Sequence, residues 1–575
     1  MKKNKLVSIV ITLIVWFIMF YSALPAINIQ SQEFWSFAIS LIVVAAVINS
    51  YSLIKSMVEN KEAIPLRERL KQFKKVIIVI LAFVIIYGGG TLLSSPIIRA
   101  SAYKDLLAVK TSDFNADIKE VNYSQIPLLD KNSAALLSER KMGSMIDMVS
   151  QYEVSDYYTQ INYKEKPMRV TPLEYGSVIK WLTNRSTGIP AYVQIDMASQ
   201  DVELIKLEKG ITISPSEHFG RNLDRFLRFK YPTAMFRGKN FEVDDNGTPY
   251  WICTVATKQI GLFGGTDIKG AVLLNAITGE HQYYDVSEVP TWVDKVYDAE
   301  LLVQQYNYHG VLTNGYLNSI FGQRGCLQTT EGYNYIALDD DVWVYTGITS
   351  VTGDESIVGF VLMNQRTKET KYYQISGAKE ISAMSSAEGQ VQHLGYLATF
   401  PLLLNVGGEP SYFLALKDEA GLVKKYAMVN IEKYQIVAIG DSISECDKNY
   451  KVLLTDNGIT SVPIKEEAGY SGVVENIWNV VIDGNTYYYF QLDKYNQLFE
   501  IAAKNDISVV KIAIGDTVAI QGYAEEKAGI IGIATIEITK VETQTQGGIS
   551  GPMPLPANIT QETADTVDTT GSVNP

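Results

Sequence analysis

Three long stretches without a single charge open this chain, and they constrain its fold more than anything that follows. Between Lys5 and Glu33 lie 27 uncharged residues, between Glu33 and Lys55 another 21, and between Lys75 and Arg99 a further 23. At about 1.5 Å of rise per residue, a helix of any of these lengths reaches across a hydrocarbon core of roughly 30 Å. In that core the backbone must satisfy its own hydrogen bonds, so a helix is the form each stretch has to take. A cleavable signal peptide is the competing reading for the first. Its apolar region is too long for that, and two further stretches follow it. The spacing predicts three transmembrane helices within residues 1–99.

The flanking charges predict an orientation. Lys2, Lys3 and Lys5 precede the first stretch, and Lys55, Lys61, Arg67, Arg69, Lys71, Lys74 and Lys75 crowd the link between the second and third. The link between the first and second has no basic residue. Basic links stay on the cytoplasmic side, so the N-terminus is expected inside and everything after about residue 99 outside, in a multi-pass protein of the cell membrane. Phe34, Trp35 and Tyr87 fall where interfacial aromatics belong. No stretch holds an ionisable side chain, which removes the usual mark of a transport path. The basic link is read as a topology signal, in preference to an amphipathic helix lying on the inner leaflet.

Charge divides the chain in the same place. Residues 1–100 hold 11 basic and 4 acidic side chains of the chain's 50 and 63, leaving 39 basic and 59 acidic to residues 101–575. An outer region that acidic opposes phosphate backbones, so nucleic acid is excluded as a general partner. The three cysteines, Cys253, Cys326 and Cys446, cannot make a disulfide framework and show no zinc spacing.

Internal repetition organises the outer region. Asn275-Ala-Ile-Thr278-Gly279-Glu280, followed by Tyr283-Tyr284, returns as Asn364-Gln-Arg-Thr367-Lys368-Glu369, followed by Tyr372-Tyr373. Each is preceded by an apolar run, Gly270-Ala-Val-Leu-Leu and Gly359-Phe-Val-Leu-Met, and before that by an aromatic strand, Tyr250-Trp251 and Val342-Trp343. Fainter copies lie at Asp196–Ser199 and around Asn430. Strand, loop, strand, tight turn, strand is the pattern in each. Helices are expected over 132–149, capped by Asn132 or Ser133, and from Pro215 to Phe229. The expected division is a membrane anchor over 1–99, a connector with a first α+β unit over 100–210, further units over 211–300, 301–385 and 386–468, a barrel over 469–540, and a disordered tail over 541–575.

The helix, the hairpin around Asp244-Asp-Asn-Gly247, the run Pro249-Tyr-Trp-Ile and the ending Asn275-x-x-Thr278-Gly279-Glu280 together resemble the PepSY domain of bacterial envelope proteins and protease propeptides. The resemblance covers about 212–290 best, and 330–376 and 410–440 loosely. Asn stands where that family commonly has Asp, and the later copy lacks the Gly. The resemblance implies a regulatory or binding module, sometimes inhibitory to peptidases, with no common catalytic site. Anchor and outer region together resemble uncharacterised membrane proteins of Gram-positive bacteria. The expected fold class is three N-terminal transmembrane helices followed by an α+β, β-rich outer region of tandem PepSY-like units and a small OB-like β-barrel.

In the barrel segment, Asp483-Gly484 between alternating apolar runs signals a hairpin, and a Gly515-Asp516 turn precedes the fourth of five short strands. OB-type barrels often bind single strands through basic, aromatic grooves. Here 9 acidic residues outweigh 5 basic ones over 469–540, so Trp478, Tyr487, Tyr488 and Tyr489 are read as filling the barrel or holding a neutral ligand or protein. Residues 541–575 carry four acids, no base and no apolar period, and are expected to be disordered.

The catalytic motifs fall short. Gly440-Asp441-Ser442 resembles the serine strand of GDSL-type esterases, yet His218, His281, His309 and His393 all lie upstream of it, where that family keeps its base downstream. Asp339-Asp340-Asp341 and Asp244-Asp245-Asn246 lack the spacing of a calcium loop. Cys326 has Arg324 beside it but no His partner in sequence. The residues therefore predict a non-enzymatic binding or regulatory protein of the envelope, without cofactor or metal. Its partner would be an envelope protein or a cell-wall component, with Tyr283, Tyr284, Tyr372, Tyr373, Tyr487 and Tyr488 as contact aromatics. The alternatives are a regulator of an envelope peptidase, or an outer-face hydrolase with an unrecognised site.

Overall fold

The computed structural model describes residues 2–60, 66–120, 126–338, 340–352, 356–459, 467–482, 485–503, 506–527 and 530–539. The tail over 541–575 and the Asp483-Gly484 turn lie outside these residues, as does Asp339. The chain forms two compact units, Met1–Val462 and Pro463–Pro575.

The first unit begins with helices α1 (Lys2–Ala23), α2 (Gln32–Asn60) and α3 (Leu66–Leu93). Two of them are long and apolar enough to cross a membrane, over Leu6–Ala23 and Val76–Leu93. The apolar part of α2, Gln32–Ile48, is shorter. A short helix α4 (Pro96–Lys104) leaves α3, and α5 (Phe114–Asp117) follows it.

Beyond the helices, the described residues form four larger, mainly antiparallel sheets and a two-stranded one, Ser356–Ile357 with Gly377–Ala378. Sheet I is built on Lys166–Tyr175, Ile189–Asp196 and Val202–Ile211, with Tyr152–Val154 and Thr159–Tyr163 both paired to Lys166–Tyr175. Sheet II runs in sequence order through Met235–Val243, Pro249–Ile260, Gly264–Asn275 and His281–Asp285. Sheet III is built on Asp341–Ser350, Gly359–Asn364 and Thr370–Tyr373, with Val109–Thr111 added in parallel at one edge. Sheet IV contains Leu402–Val406, Glu409–Lys417, Val423–Asn430 and Val437–Gly440.

The sheets stack with apolar cores between them, and this stacking explains why the aromatic strands have no polar alternation. Trp251, Cys253 and Val255 of sheet II point into a core shared with Tyr192 and Val193 of sheet I. Ile252 and Ala256 point the other way, toward Val344 and Val361 of sheet III. Trp343, Tyr345 and Phe360 of sheet III then pack against Leu404, Phe413 and Met428 of sheet IV. A strand buried on both faces reads as a continuous apolar run, as Tyr250-Trp251-Ile-Cys-Thr-Val does.

Helices α6 (Lys131–Gly143), α7 (Val178–Asn184), α8 (Leu223–Lys230), α9 (Ala299–Val311), α10 (Glu380–Gln390) and α11 (Ile443–Asp456) complete this unit. Two are shorter than their apolar periods suggested. The cap of α6 is Asp130, whose carboxylate accepts from the Ser133 N–H at 2.8 Å, and the helix stops at Gly143, leaving Ile146 89% exposed. Helix α8 starts only at Leu223, because Asn222 caps it and ties its side-chain amide back to the Pro215 carbonyl. Ser442 is the cap of α11, accepting from the Glu445 N–H at 3.2 Å.

The second unit is a closed barrel of Glu467–Ile482, Asn485–Leu492, Leu498–Ala502, Ile530–Thr539 and Thr517–Lys527, in that order round the barrel. Leu498–Ala502 and Ile530–Thr539 pair in parallel, and the other neighbours are antiparallel.

The β-rich body sits directly on one end of the helix bundle. Arg228 of α8 donates from Nε to the Leu24 carbonyl at 2.9 Å, and the Ile27 N–H reaches the Pro232 carbonyl at 2.8 Å. The tip of the hairpin joining the two long strands of sheet II, Gly261-Leu262-Phe263, reaches the end of α3. Both Leu262 and Phe263 N–H groups donate to Ser94 Oγ, at 2.8 and 3.2 Å. Phe263 packs against Trp35 of α2 and Tyr87 of α3. A Cβ on Gly261 would lie 2.4 Å from Ser94 Oγ, so this approach requires glycine.

Candidate functional site

The tyrosine pairs have a structural explanation in the pleat. Successive residues of a strand face opposite sides, so each pair divides between two cores. Tyr283 packs toward sheet I and Tyr284 toward sheet III. Tyr372 faces sheet II and Tyr373 faces sheet IV. Tyr284 and Tyr372 thus meet in one core, while Tyr283 and Tyr373 point away from it. The first member of each pair also lies across a glycine. A Cβ on Gly270 would be 2.5 Å from the Tyr283 hydroxyl, and one on Gly359 would be 2.7 Å from that of Tyr372. Each hydroxyl then donates to the carbonyl just before that glycine, Lys269 at 3.3 Å and Val358 at 3.1 Å. Tyr373 is 1% exposed and donates to Asp117, which places it in the core. In the barrel, Tyr488 leans on the core while Tyr487 and Tyr489 alternate to the outside with Trp478.

The Asn turns share one geometry. Asn275 Oδ1 accepts from the N–H groups of Ile277 and Thr278, both at 2.9 Å, and Asn364 Oδ1 from Arg366 and Thr367, both at 2.8 Å. Asp196 does the same with Ala198 and Ser199, and Asn430 accepts from Lys433. Short amide or carboxylate side chains suit this role because they reach their own backbone two and three residues on. The fourth residue after the Asn or Asp is left-handed in three cases, at Gln200, Gly279 and Lys368.

Where the second Asn turn meets sheet II there is an open cleft of about 570 Å³, lined by Lys269, Asp285, Ser287, Tyr297, Arg366 and Thr367. Arg366 reaches it after a two-point contact with Asp341, Nε to Oδ1 at 2.6 Å and Nη2 to Oδ2 at 2.8 Å. Lys368, beside it, pairs with Asp267 of sheet II at 2.8 Å and lies over the Tyr297 ring. The Lys368–Asp267 pair joins sheets II and III beside the opening, while the Arg366–Asp341 pair braces the turn within sheet III. The Lys269 ammonium lies 5.9 Å from the Tyr283 ring centre. Cations on two walls, a carboxylate, two hydroxyl side chains and an aromatic rim can hold a polar, partly anionic ligand. Of the residues named from the sequence, Thr367 lines the cleft, and Tyr283 lies next to Lys269 and Asp285. Lys269 and Arg366 carry no local motif; it is the stacking of two sheets that brings them together.

A second polar group lies sealed where sheets I, II and III meet. Glu242 and Asp294 are at most 1% exposed. Glu242 accepts from the backbone N–H groups of Asp294 (2.9 Å) and Lys295 (3.2 Å), and Asp294 Oδ2 accepts from the Asn162 N–H at 2.7 Å. Among the described residues, Asp294 Oδ1 has no hydrogen-bond partner. Burial pushes the Glu242 carboxyl up to about 7, and burial together with the Glu242 charge raises that of Asp294. Arg169 is nearly as enclosed and donates to Gln160 at 3.3 Å.

The other polar motifs are occupied in structural roles. Asp244 closes its own turn, accepting from the N–H groups of Asn246 and Thr248. Asp341 holds Arg366, and Asp441 pairs with Lys425. All three cysteines are buried and unpaired as thiols; burial raises the thiol pKa of Cys253 and Cys446, and Cys326 bonds to the Val311 carbonyl. His281 bonds Tyr231 and His309 the Lys104 carbonyl, in different parts of the fold. Among the described residues, no group of three His, Cys, Asp or Glu is placed to hold a metal ion. No protein-family model matches the chain, and no curated protein matches it.

Proposed function

We propose that this chain is a membrane-anchored, extracytoplasmic binding or regulatory protein of the cell envelope that works without catalysis. The four sheets are then copies of one PepSY-like unit, and α1, α2 and α3 are its three membrane spans, with the N-terminus in the cytoplasm. The equivalent Asn turns and the matching Gly270/Tyr283 and Gly359/Tyr372 pairs support the repeat reading. For the orientation, the support is geometric as well as electrostatic. The uncharged α1–α2 link and the end of α3 both touch the β-rich body, so the body stands on the side away from the basic link.

The cleft beside Lys269 and Arg366 carries the binding reading. Its charge suits an acidic segment of an envelope protein or an anionic cell-wall component. The test uses the full chain in lipid nanodiscs, incubated with cell-wall preparations and solubilised envelope proteins. Lys269→Glu reverses one wall of the cleft at an accessible side chain, and is expected to lower retention at least tenfold with the melting temperature unchanged. Equal retention by parent and variant would remove the cleft from the binding site, and no retention by the parent would remove the binding reading.

A further inference from the structure

Helix α9 points toward the anchor, and the register of sheet II shows how far. Along the hairpin whose tip touches Ser94, Ala256 pairs with Ile268, Lys258 with Thr266 and Ile260 with Gly264. Asp298, at the start of α9, is held by Arg237, on the strand paired with the early part of that hairpin. Seven residues later Gln305 donates to the Thr266 carbonyl at 2.8 Å. At the far end Leu312 packs with Ile260 at the base of the tip and with Tyr103 of α4. The chain then makes an excursion and returns at Leu327, whose carbonyl would lie 2.3 Å from a Cβ on Gly310. Everything between 313 and 325 therefore projects past the end of α9 on the anchor side.

That excursion is apolar where it is most exposed. Phe321 is 82% exposed, Leu317 71% and Ile320 49%. Beside it α4, leaving the end of α3, exposes Ile97 and Ile98. Arg99 and Arg324 stand exposed at the margins of these two groups. Tyr103 joins the two segments: its ring packs on Tyr308 at the end of α9, and its hydroxyl donates to the Ser94 carbonyl at 2.7 Å. The apolar surface is thus continuous with the end of the helix bundle.

We propose that the 313–325 excursion is a membrane-contact loop. Leu317, Ile320 and Phe321 enter the outer leaflet beside α4, and Arg99 and Arg324 meet the lipid phosphates. Apolar and aromatic side chains with flanking cations are the composition that settles at a headgroup boundary. The inference rests on α1–α3 standing in a bilayer, and it adds a second attachment, lateral to the helices. With two separated contacts, the β-rich body is held at a fixed tilt over the membrane instead of pivoting on Ser94.

Site-directed spin labelling of the full chain in nanodiscs of phosphatidylcholine and phosphatidylglycerol tests this. The three native thiols are buried, so Phe321→Cys, Val84→Cys and Asn246→Cys can be labelled one at a time, with the unsubstituted chain as background. Val84 lies on α3, and Asn246 sits at the opposite end of the hairpin strand, about 40 Å from the tip by strand rise. The labels at 84 and 321 are expected to be more accessible to oxygen than to a water-soluble nickel chelate, with the order reversed at 246. A label at 321 as open to nickel as that at 246, with 84 in lipid, overturns the loop contact and leaves the anchor standing. A label at 321 shielded from both reagents means that protein covers the loop, which also overturns the proposal. If 84 itself is open to nickel, the anchor reading fails first.

Discussion

Replacing Asp294 by Asn should remove much of the pH sensitivity of the folded body. Glu242 and Asp294 share a sealed site, and two carboxylates that close do not ionise together in the dry interior. Lys295 opposes this by favouring the charged form of Glu242, while Asp340 and Asp341 act against the charge on Asp294. In the unfolded chain both acids release their protons near pH 4. In the folded chain burial holds the Glu242 proton up to about 7. Between those values the folded state binds more protons than the unfolded one, so stability falls as pH rises through the window. The shift of Glu242 alone corresponds to roughly 3 kcal/mol, at about 1.4 kcal/mol per pH unit. Asp294→Asn keeps an oxygen for the Asn162 N–H and removes the competing charge. Urea unfolding of parent and variant, followed by tryptophan fluorescence at pH 5 and pH 8, reads the effect. The variant should be close to the parent at pH 5 and more stable by about 1–3 kcal/mol at pH 8. Glu242 and every other titrating group are common to both chains, so the difference isolates Asp294 and its repulsion with Glu242. An equal difference at the two pH values, or a variant weaker at pH 8, would refute the reasoning.

Gly270→Ala should cost about 3 kcal/mol in the same unfolding assay, because its Cβ would lie 2.2 Å from the Tyr284 carbonyl, a backbone atom that cannot step aside. Gly389→Ala, with open space around it in helix α10, should be neutral or slightly stabilising, and equal costs at the two sites would show that the tyrosine packing does not decide the matter. Phe263→Ala should lower stability by about 3 kcal/mol in nanodiscs, since the ring is buried against Trp35 and Tyr87. An unchanged melting temperature for that variant would mean the hairpin tip carries no docking energy.

The helices and the sheet strands were legible because hydropathy and residue period report them locally. The Asn turns were legible too, since the side chain that makes each turn lies inside the motif. What escaped was everything decided by a second sheet. The run from Tyr250 to Val255 announced burial on both faces, but not which sheet covers each face. So the tyrosine pairs looked like an exposed aromatic surface, while Gly270 and Gly359 had already been left bare to let the rings lie down. Glu242 illustrates the same limit. Its neighbour Phe241 faces one core, so the pleat sends Glu242 to the other side, which reads as solvent until sheet III is in place. Trp35 and Tyr87 were read as interfacial aromatics, and the structure gives both a specific partner in Phe263, more than 170 residues away in sequence.

The charge split of the sequence acquires a direction from these contacts. Although residues 101–575 are acidic overall, arginines cluster where the β-rich body meets α1–α4. Arg228 spends its guanidinium on the carbonyls of Leu24, Pro232 and Ala234, Arg225 lies over the Tyr21 ring, and Arg99 and Arg324 stand exposed beside α4 and the 313–325 excursion. The acids gather at the other end of the same strands. Burial and the charges of Asp341, Asp245 and Glu165 raise the Asp340 carboxyl there, so three hairpin turns, from sheets I, II and III, bring like charges together. Such crowding costs stability and has to be outweighed by the cores beneath it. On the reading proposed above it also gives the body an electrostatic polarity. Anionic headgroups attract the end that carries the arginines and repel the end that carries the acids, so the field of the bilayer favours the same orientation that Ser94 and Phe263 fix by contact.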